Sequence, residues 1–131
     1  MSGEGCAAAA AAAHVLVVED EPMIGRILEH KLVREGHRIT WARDCAAAAA
    51  ALDGGDVDLA LVDVTLDRDG IEFMSTAATM SRCGWVAMVA ARDVASQQRA
   101  RAAGCAAVVI KPFKPTAVAA LVAQLVAGAR V

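Results

Sequence analysis

Five short apolar or β-branched runs recur along the chain, and each is followed by a segment with helical features. The predicted strands are Val15–Val18, Arg38–Trp41, Leu59–Val62, Val86–Val89 and Val108–Ile110. Alternating strands and helices predict an α/β fold, with a parallel sheet covered by helices on both faces. In four of these runs, apolar and polar residues do not alternate, which is typical of strands that are buried on both faces of a sheet. The residues of Arg38–Trp41 do alternate, so this strand is expected at an edge of the sheet.

The segments between the strands begin and end at ordinary helix signals. The predicted helices are Pro22–Glu35, Asp44–Leu52, Gly70–Met80, Ala95–Ala103 and one that begins near Pro115. Proline at a first helical position, an aspartate cap and glycine stops define their limits. Two helices carry apolar residues on one face: Ile24, Ile27, Leu28 and Leu32 in the first, and Val118, Leu121, Val122, Leu125 and Val126 in the last. We expect the stripe of the last helix to be core packing.

The length and composition fit one domain without a membrane segment. The 131 residues suggest a single domain over residues 14–131, preceded by a flexible, alanine-rich tail over residues 1–13. The net charge of −2 argues against a nucleic-acid surface. No run approaches the roughly 20 strongly apolar residues of a membrane span. The spacing of the four cysteines predicts free thiols and a cytoplasmic protein.

Charged residues follow three of the predicted strands, where such sheets bind ligands. Glu19 and Asp20 follow the first strand, Asp63 follows the third and Lys111 follows the fifth. Converging carboxylates repel one another, and a hard divalent cation such as Mg²⁺ relieves that cost. An acidic cluster beside a lysine therefore indicates phosphoryl chemistry, with Asp63 as the nucleophile. Taken singly, these residues also fit a helix cap, a turn aspartate and a solvated lysine.

Four segments, taken in their order along the chain, resemble the motifs of response regulator receiver domains: VLVVEDEP from Val15, LALVDVTL from Leu59, DGIEF from Asp69 and AAGCAAVVIKPF from Ala102. The resemblance implies a flavodoxin-like sheet of order 2-1-3-4-5, binding Mg²⁺. It makes Asp63 the phosphoacceptor and Lys111 the contact to the phosphoryl group, with a cis Lys111–Pro112 bond. It assigns the metal to Asp20, Asp63, the carbonyl of Thr65, and Glu19 directly or through water.

The same resemblance implies a signalling role without an outside substrate. A histidine kinase or histidine phosphotransfer protein would supply the phosphoryl group and dock on the first helix and the strand-end loops. The domain would catalyse only its own phosphorylation and slow hydrolysis, without direct contact to nucleic acid or membrane. The kinase, the output and the oligomeric state are not specified by the sequence.

Three positions depart from the family pattern. Ala90 stands where the family has a Thr or Ser hydroxyl that bonds the phosphoryl group, and Val108 stands where an aromatic ring often rotates on activation. The loop after Asp63 is one residue short, with Asp67 where proline is common. These departures favour one alternative, a pseudo-receiver that acts as a phosphate-independent interaction module. A second alternative, a small phosphatase with an aspartyl nucleophile, is disfavoured because Asp63 follows the third strand instead of the first.

Overall fold

A five-stranded parallel sheet forms the centre of the protein in a computed structural model that describes residues 12–129. The strands are β1 (His14–Val18), β2 (Arg38–Ala42), β3 (Leu59–Asp63), β4 (Gly84–Ala90) and β5 (Ala107–Lys111). The helices are α1 (Pro22–Arg34), α2 (Cys45–Asp53), α3 (Gly70–Ser81), α4 (Val94–Ala102) and α5 (Pro115–Ala129). The strand order is β2-β1-β3-β4-β5, so the predicted doubly wound, flavodoxin-like fold is confirmed.

Helices cover both faces of the sheet, because alternate strand residues point to opposite sides. On one face, α1 and α5 pack through Leu28, Leu32, Val118, Val122 and Val126. On the other face, α2, α3 and α4 pack through Ala48, Leu52, Ile71, Met74 and Ala100. The apolar stripe of the last helix is therefore core packing, as predicted.

The two edges of the sheet differ from its centre. The residues of β3 are all buried, and β2 lies at one edge, as its alternating pattern predicts. The expectation of burial on both faces is wrong for β5, which forms the other edge and leaves Ile110 37% exposed. Apolar content alone does not distinguish an edge strand from a central one, since only the partner strands decide it.

Helix α1 begins and ends close to the predicted residues. Glu21 caps its start by accepting a hydrogen bond from the Met23 N–H at 3.1 Å, and Gly36 follows its end with a φ of +99°. The predicted apolar face of this helix is not buried throughout, since the side chain of Ile27 is 44% exposed. The buried face is centred instead on Gly25, Leu28 and Leu32.

The first eleven residues, which hold most of the predicted tail, lie outside the described residues. Ala13, also assigned to the tail, is buried and continuous with β1. Its N–H donates to Nδ1 of His37 at 3.1 Å, and its carbonyl accepts from the Arg38 N–H at 2.9 Å. Ala13 therefore packs with the core.

The described cysteines, Cys45, Cys83 and Cys105, are free, and Cys6 lies outside the described residues. Burial raises the pKa of Cys45 and that of Cys83 to about 11. Both thiols are therefore protonated at neutral pH and have little nucleophilic character. Within residues 12–129, none of the helices is long and apolar enough to cross a membrane.

Candidate functional site

Three carboxylates and one lysine meet at the carboxyl edge of the sheet. Glu19 and Asp20 directly follow β1, Asp63 is the last residue of β3, and Lys111 is the last residue of β5. The strand order reverses between β1 and β3, and sheets of this type leave a crevice at that point. The structure thus brings together the four charged side chains that the sequence analysis selected.

Glu19 is the most deeply buried of these groups, with no exposed surface. Its Oε2 accepts a hydrogen bond from the Glu21 N–H at 3.2 Å, and its Oε1 lies 3.2 Å from Nζ of Lys111. Burial raises the pKa of Glu19 to about 7, and a hydrogen bond with Asp63 and the charge of Asp63 act in the same direction. Lys111 therefore compensates the negative charge of this pocket only in part.

Asp63 is held by donors on both carboxylate oxygens. Oδ2 accepts from Nζ of Lys111 at 2.8 Å, and Oδ1 accepts from the Thr65 N–H at 2.9 Å. Burial alone would lower the pKa of Lys111, but the hydrogen bond to Asp63 and the charges of Asp63 and Glu19 leave it above its ordinary value. The carboxylate of Asp63 is therefore oriented, 6% exposed and beside a lysine that stays charged.

The acidic residues fit a hard divalent cation. Glu19, Asp20 and Asp63 each offer a carboxylate oxygen, and these oxygens lie within 4.8 Å of one another. Mg²⁺ binds carboxylate oxygens and keeps several waters, so these three side chains are of the type that would hold it. Oε1 of Glu19 is buried and accepts no well-aligned hydrogen bond within the described residues. Since Asp20 is exposed, the pocket is open to solvent on that side.

The end of β4 lies at the same edge but offers no side-chain donor. Ala90 pairs with Lys111 in the β4–β5 register, and its side chain is only a methyl group. Nε2 of Gln97, on α4, donates to the carbonyls of Ala90 and Ala91 at 3.1 Å each. Val108 is half-buried against the core on the α4 side of the sheet. The connection from β4 to α4 is thus held by a side chain of α4, which donates to two carbonyls of that connection.

The loop after Asp63 makes contacts that were not predicted from the sequence. Oδ1 of Asp67 accepts from the Cys45 N–H at 3.2 Å, which joins the loop to the start of α2. Asp69 caps α3 through the Ile71 N–H and forms an ion pair with Arg99 of α4 at 2.6 Å, which holds the pKa of Asp69 below its usual range. The Asp-Gly pair before a helix was a readable cap signal. Nothing local in the sequence indicated Arg99.

An apolar groove borders the charged pocket. It has a volume of about 360 Å³ and lies between α1 and the connection from β5 to α5. Its lining consists of Ile24, Ile27, Lys111, Pro112, Phe113 and Pro115. The Lys111–Pro112 bond is cis, as the resemblance implied.

Comparisons with known proteins agree with this geometry. The family described as "Response regulator receiver domain" matches residues 15–123. Transcriptional regulatory protein TcrA of Mycobacterium tuberculosis is 46% identical over 44% of this chain and 23% of its own length. Transcriptional regulatory protein PcoR of Escherichia coli is 31% identical over 88% of this chain and 52% of its own length. The chain therefore spans about half of PcoR and about a quarter of TcrA.

Solved receiver structures share the fold at low sequence identity. A CheY-like response regulator receiver domain protein from Methanospirillum hungatei superposes with a TM-score of 0.84 at 20% identity, covering 90% of this chain and 96% of that one. The receiver domain of the TMAO respiratory system response regulator TorR gives 0.82 at 24% identity, covering 86% and 95%. Because the family match spans most of the chain and the fold agrees, the chain belongs to the response regulator receiver domain family.

Proposed function

We propose that this receiver domain accepts a phosphoryl group on Asp63 in a Mg²⁺-dependent reaction. The donor is the phosphohistidine of a histidine kinase or of a histidine phosphotransfer protein, and the domain acts in the cytoplasm as a signalling switch. The observation that carries the proposal is the contact between buried Asp63 and Nζ of Lys111 at 2.8 Å, beside the carboxylates of Glu19 and Asp20.

Asp20, Asp63, the Thr65 carbonyl, and Glu19 directly or through water, would hold the cation. Bound Mg²⁺ would supply positive charge to the carboxylates and to the phosphoryl oxygens. A carboxylate oxygen of Asp63 attacks phosphorus, an O–P bond forms and the P–N bond to histidine breaks. The bond pair returns to the ring nitrogen, and the ring leaves as neutral imidazole when its other nitrogen is protonated.

Lys111 pairs with the phosphoryl oxygens as negative charge moves into the pocket. Its ammonium already lies between Asp63 and Glu19, at 2.8 and 3.2 Å, so no large side-chain movement is needed. Hydrolysis by water then returns the free carboxylate of Asp63. The domain therefore acts on its own aspartate and on no outside substrate.

We assign the docking of the phosphohistidine partner to the apolar groove beside Lys111. Met23 is 71% exposed and Ile27 is 44% exposed, and both lie on α1 at the same end of the sheet as Asp63. Exposed apolar side chains grouped beside a reactive centre are typical of protein-binding surfaces. The exposure of Ile27, which contradicts a core role, is explained if this side chain contacts the partner.

The phosphoacceptor is tested by intact mass after incubation with acetyl phosphate or carbamoyl phosphate and Mg²⁺. Wild-type protein gains one phosphoryl group, and Asp63→Asn gains none. Asp67→Asn is the matched control, since it makes the same change in the loop that follows Asp63 and retains an acceptor for the Cys45 N–H. Full labelling of Asp63→Asn would place the phosphoryl group elsewhere.

The cation site is tested by calorimetric titration with Mg²⁺. Asp20→Asn weakens Mg²⁺ binding and slows phosphorylation together, because one charged ligand is removed from the pocket. Glu21→Gln is the control, since it removes the neighbouring charge while its side-chain oxygen still caps α1. Equal Mg²⁺ affinity in Asp20→Asn and wild type would exclude Asp20 as a ligand.

A second candidate function is favoured by Ala90 and Val108. A pseudo-receiver keeps the fold and signals by protein binding alone, and it has no need of a hydroxyl at the end of β4. It predicts that neither acyl phosphate labels the chain and that Mg²⁺ does not bind. Labelling of Asp63 in the mass experiment excludes it.

A further inference from the structure

The indole of Trp41 reaches from the edge strand β2 to the loop that carries Glu19 and Asp20. Its Nε1–H donates to the backbone carbonyl of Glu19 at 2.9 Å. The N–H of Glu19 donates to the carbonyl of Ala42 at 3.0 Å. Both backbone polar groups of Glu19 are therefore bound by β2, which fixes the peptide plane between Glu19 and Asp20.

The space for this indole is provided by Gly25 of α1. A Cβ atom at this position would lie 2.1 Å from Cζ2, 2.2 Å from Cε2 and 2.6 Å from Nε1 of Trp41. Real Cβ atoms do not approach other atoms so closely, so any other residue would displace the ring. Glycine is unfavourable inside a helix, and this close packing explains its presence there.

A cation also contacts the ring. The guanidinium carbon of Arg43 lies 4.5 Å from the ring centroid, a distance at which a cation is attracted to an aromatic face. Together, Gly25 and Arg43 hold the indole where its N–H reaches the Glu19 carbonyl. These contacts do not involve the charged pocket directly.

We propose that Trp41 is a positioning residue for the cation site, acting through the backbone of Glu19. This inference rests on the proposed Mg²⁺-dependent function. The Glu19–Asp20 peptide connects two carboxylates of the acidic cluster, so the donor that fixes its carbonyl also fixes the directions in which both side chains leave the chain. Groups that orient metal ligands in this way affect metal affinity by about 10–100-fold when they are removed.

The first test removes the indole donor and keeps an aromatic ring. Trp41→Phe is expected to weaken Mg²⁺ binding about tenfold, at the lower end of the effects seen for such orienting groups. Val126→Ala is the stability control, because Val126 is buried near the end of α5, the helix that begins after the connection from Lys111. This control is expected to lower the free energy of unfolding and to leave Mg²⁺ affinity unchanged.

The second test is spectroscopic and uses the whole chain labelled with ¹⁵N. The protein has two tryptophans, and Trp85 is buried within β4, so two indole N–H signals are expected. Trp41→Phe removes one signal and so assigns it. On titration with Mg²⁺, the Trp41 signal is expected to shift with the dissociation constant measured by calorimetry, and the Trp85 signal is expected to shift less.

A third variant keeps the donor and displaces it. Gly25→Ala pushes the indole away from Glu19, so it should also weaken Mg²⁺ binding, and its effect should not add to that of Trp41→Phe. If wild-type protein binds Mg²⁺ and folded Trp41→Phe binds it equally well, the positioning role is overturned and the proposed function stands. The positioning role is also overturned if the indole signal of Trp41 does not shift when Mg²⁺ is added. Absence of Mg²⁺ binding in wild-type protein overturns both proposals.

Discussion

The end of β4 and the ends of its neighbours β3 and β5 lie at one edge of the same sheet, yet they carry different kinds of side chain. Asp63 and Lys111 form a buried contact at 2.8 Å, with Glu19 beside them. Ala90, between those strands, offers only a methyl group. The residues to which we assign phosphoryl uptake therefore lie together, whereas Ala90 has no hydroxyl with which to contact a phosphoryl group from β4. If the proposed function holds, phosphoryl uptake and the response of α4 depend on separate residues.

The difference has an energetic consequence for α4. A phosphoryl group shifts a two-state equilibrium only by the difference between its interactions in the two states. Without a hydroxyl at position 90, that difference is smaller on the β4 side. Gln97 and Asp93 also bond to the Ala90 carbonyl, which joins the start of α4 to the end of β4 in the structure described here. We therefore expect a smaller response of α4 than receivers with the usual hydroxyl show.

The largest expected effect is on the rate of phosphorylation. Lys111→Met removes the ammonium between two buried carboxylates and keeps an apolar chain of similar length. Hydrogen bonds to charged groups contribute about 1.5–3 kcal/mol, so phosphorylation by acetyl phosphate should slow by about 10–150-fold. The rate is measured by intact mass against time.

Lys114→Met is the control for Lys111→Met. Lys114 is exposed in the same connection from β5 to α5 and does not belong to the charged pocket. Its replacement should leave the uptake rate unchanged. A wild-type rate in Lys111→Met would mean that the pocket at the ends of β1, β3 and β5 does not stabilise the transferred group through this lysine.

The next effect is a pH dependence of stability in protein freed of divalent cations by a chelator. The folded-state pKa of Glu19 is raised from 4.5 to about 7 by burial, so the folded state binds a proton that the unfolded state has released. This contribution to stability is complete below about pH 4.5 and is lost as the pH rises through 7. The free energy of unfolding should therefore fall by up to about 2 kcal/mol between pH 5.5 and 7.5.

Urea unfolding of wild type and Glu19→Gln at both pH values isolates this effect. The variant should show a smaller fall, because its amide does not titrate. The carboxyls of Asp56, Asp69 and Asp93 have lowered pKa values and change protonation below this range. Equal pH dependence in the two proteins would show that Glu19 does not hold a proton in the folded state.

The charged pocket could be predicted from the sequence because each of its residues directly follows, or ends, a recognisable strand. A buried strand followed at once by Glu19, Asp63 or Lys111 places that side chain at the carboxyl edge of any parallel sheet. The contacts of Trp41 with Glu19 and of Arg99 with Asp69 were not predictable in this way. They join residues 22 and 30 positions apart, and they depend on how β2 and α4 pack in three dimensions.

The errors of the sequence analysis have the same physical origin. Ile27 satisfies a helical apolar pattern, but α1 turns the face of Gly25 and Leu28 toward the sheet. Val108–Ile110 has the composition of a central strand, but β5 lies at an edge of the sheet. In both cases local hydrophobicity identified the element correctly, and the partner elements decided which side chains were exposed.

A smaller effect is expected from restoring the missing hydroxyl. Ala90→Thr places a donor at the end of β4, opposite Lys111, and should tighten binding of beryllofluoride, a phosphoryl mimic, by about tenfold. Ala90→Val is the matched control, because valine has the shape of threonine without the hydroxyl. Equal beryllofluoride affinities of Ala90→Thr and Ala90→Val would show that a hydroxyl at the end of β4 does not strengthen binding of the mimic.

The smallest effect concerns the ion pair between Asp69 and Arg99, which joins the loop after Asp63 to α4. The two side chains are 40% and 52% exposed, so Arg99→Gln should leave the free energy of unfolding almost unchanged. Because this ion pair does not involve Ala90, we expect any effect of Asp63 phosphorylation on α4 to pass through it. In wild-type protein, beryllofluoride should protect amides of Val94–Ala102 from hydrogen exchange less than amides near Asp20 and Asp63. Arg99→Gln should remove the protection of the α4 amides and leave the protection near Asp20 and Asp63.

Arg101→Gln is the control, because it makes the same charge change in the same helix turn, and it should retain the protection of the α4 amides. Protection of α4 equal to that near Asp63, or its persistence in Arg99→Gln, would contradict the separation of uptake from transmission.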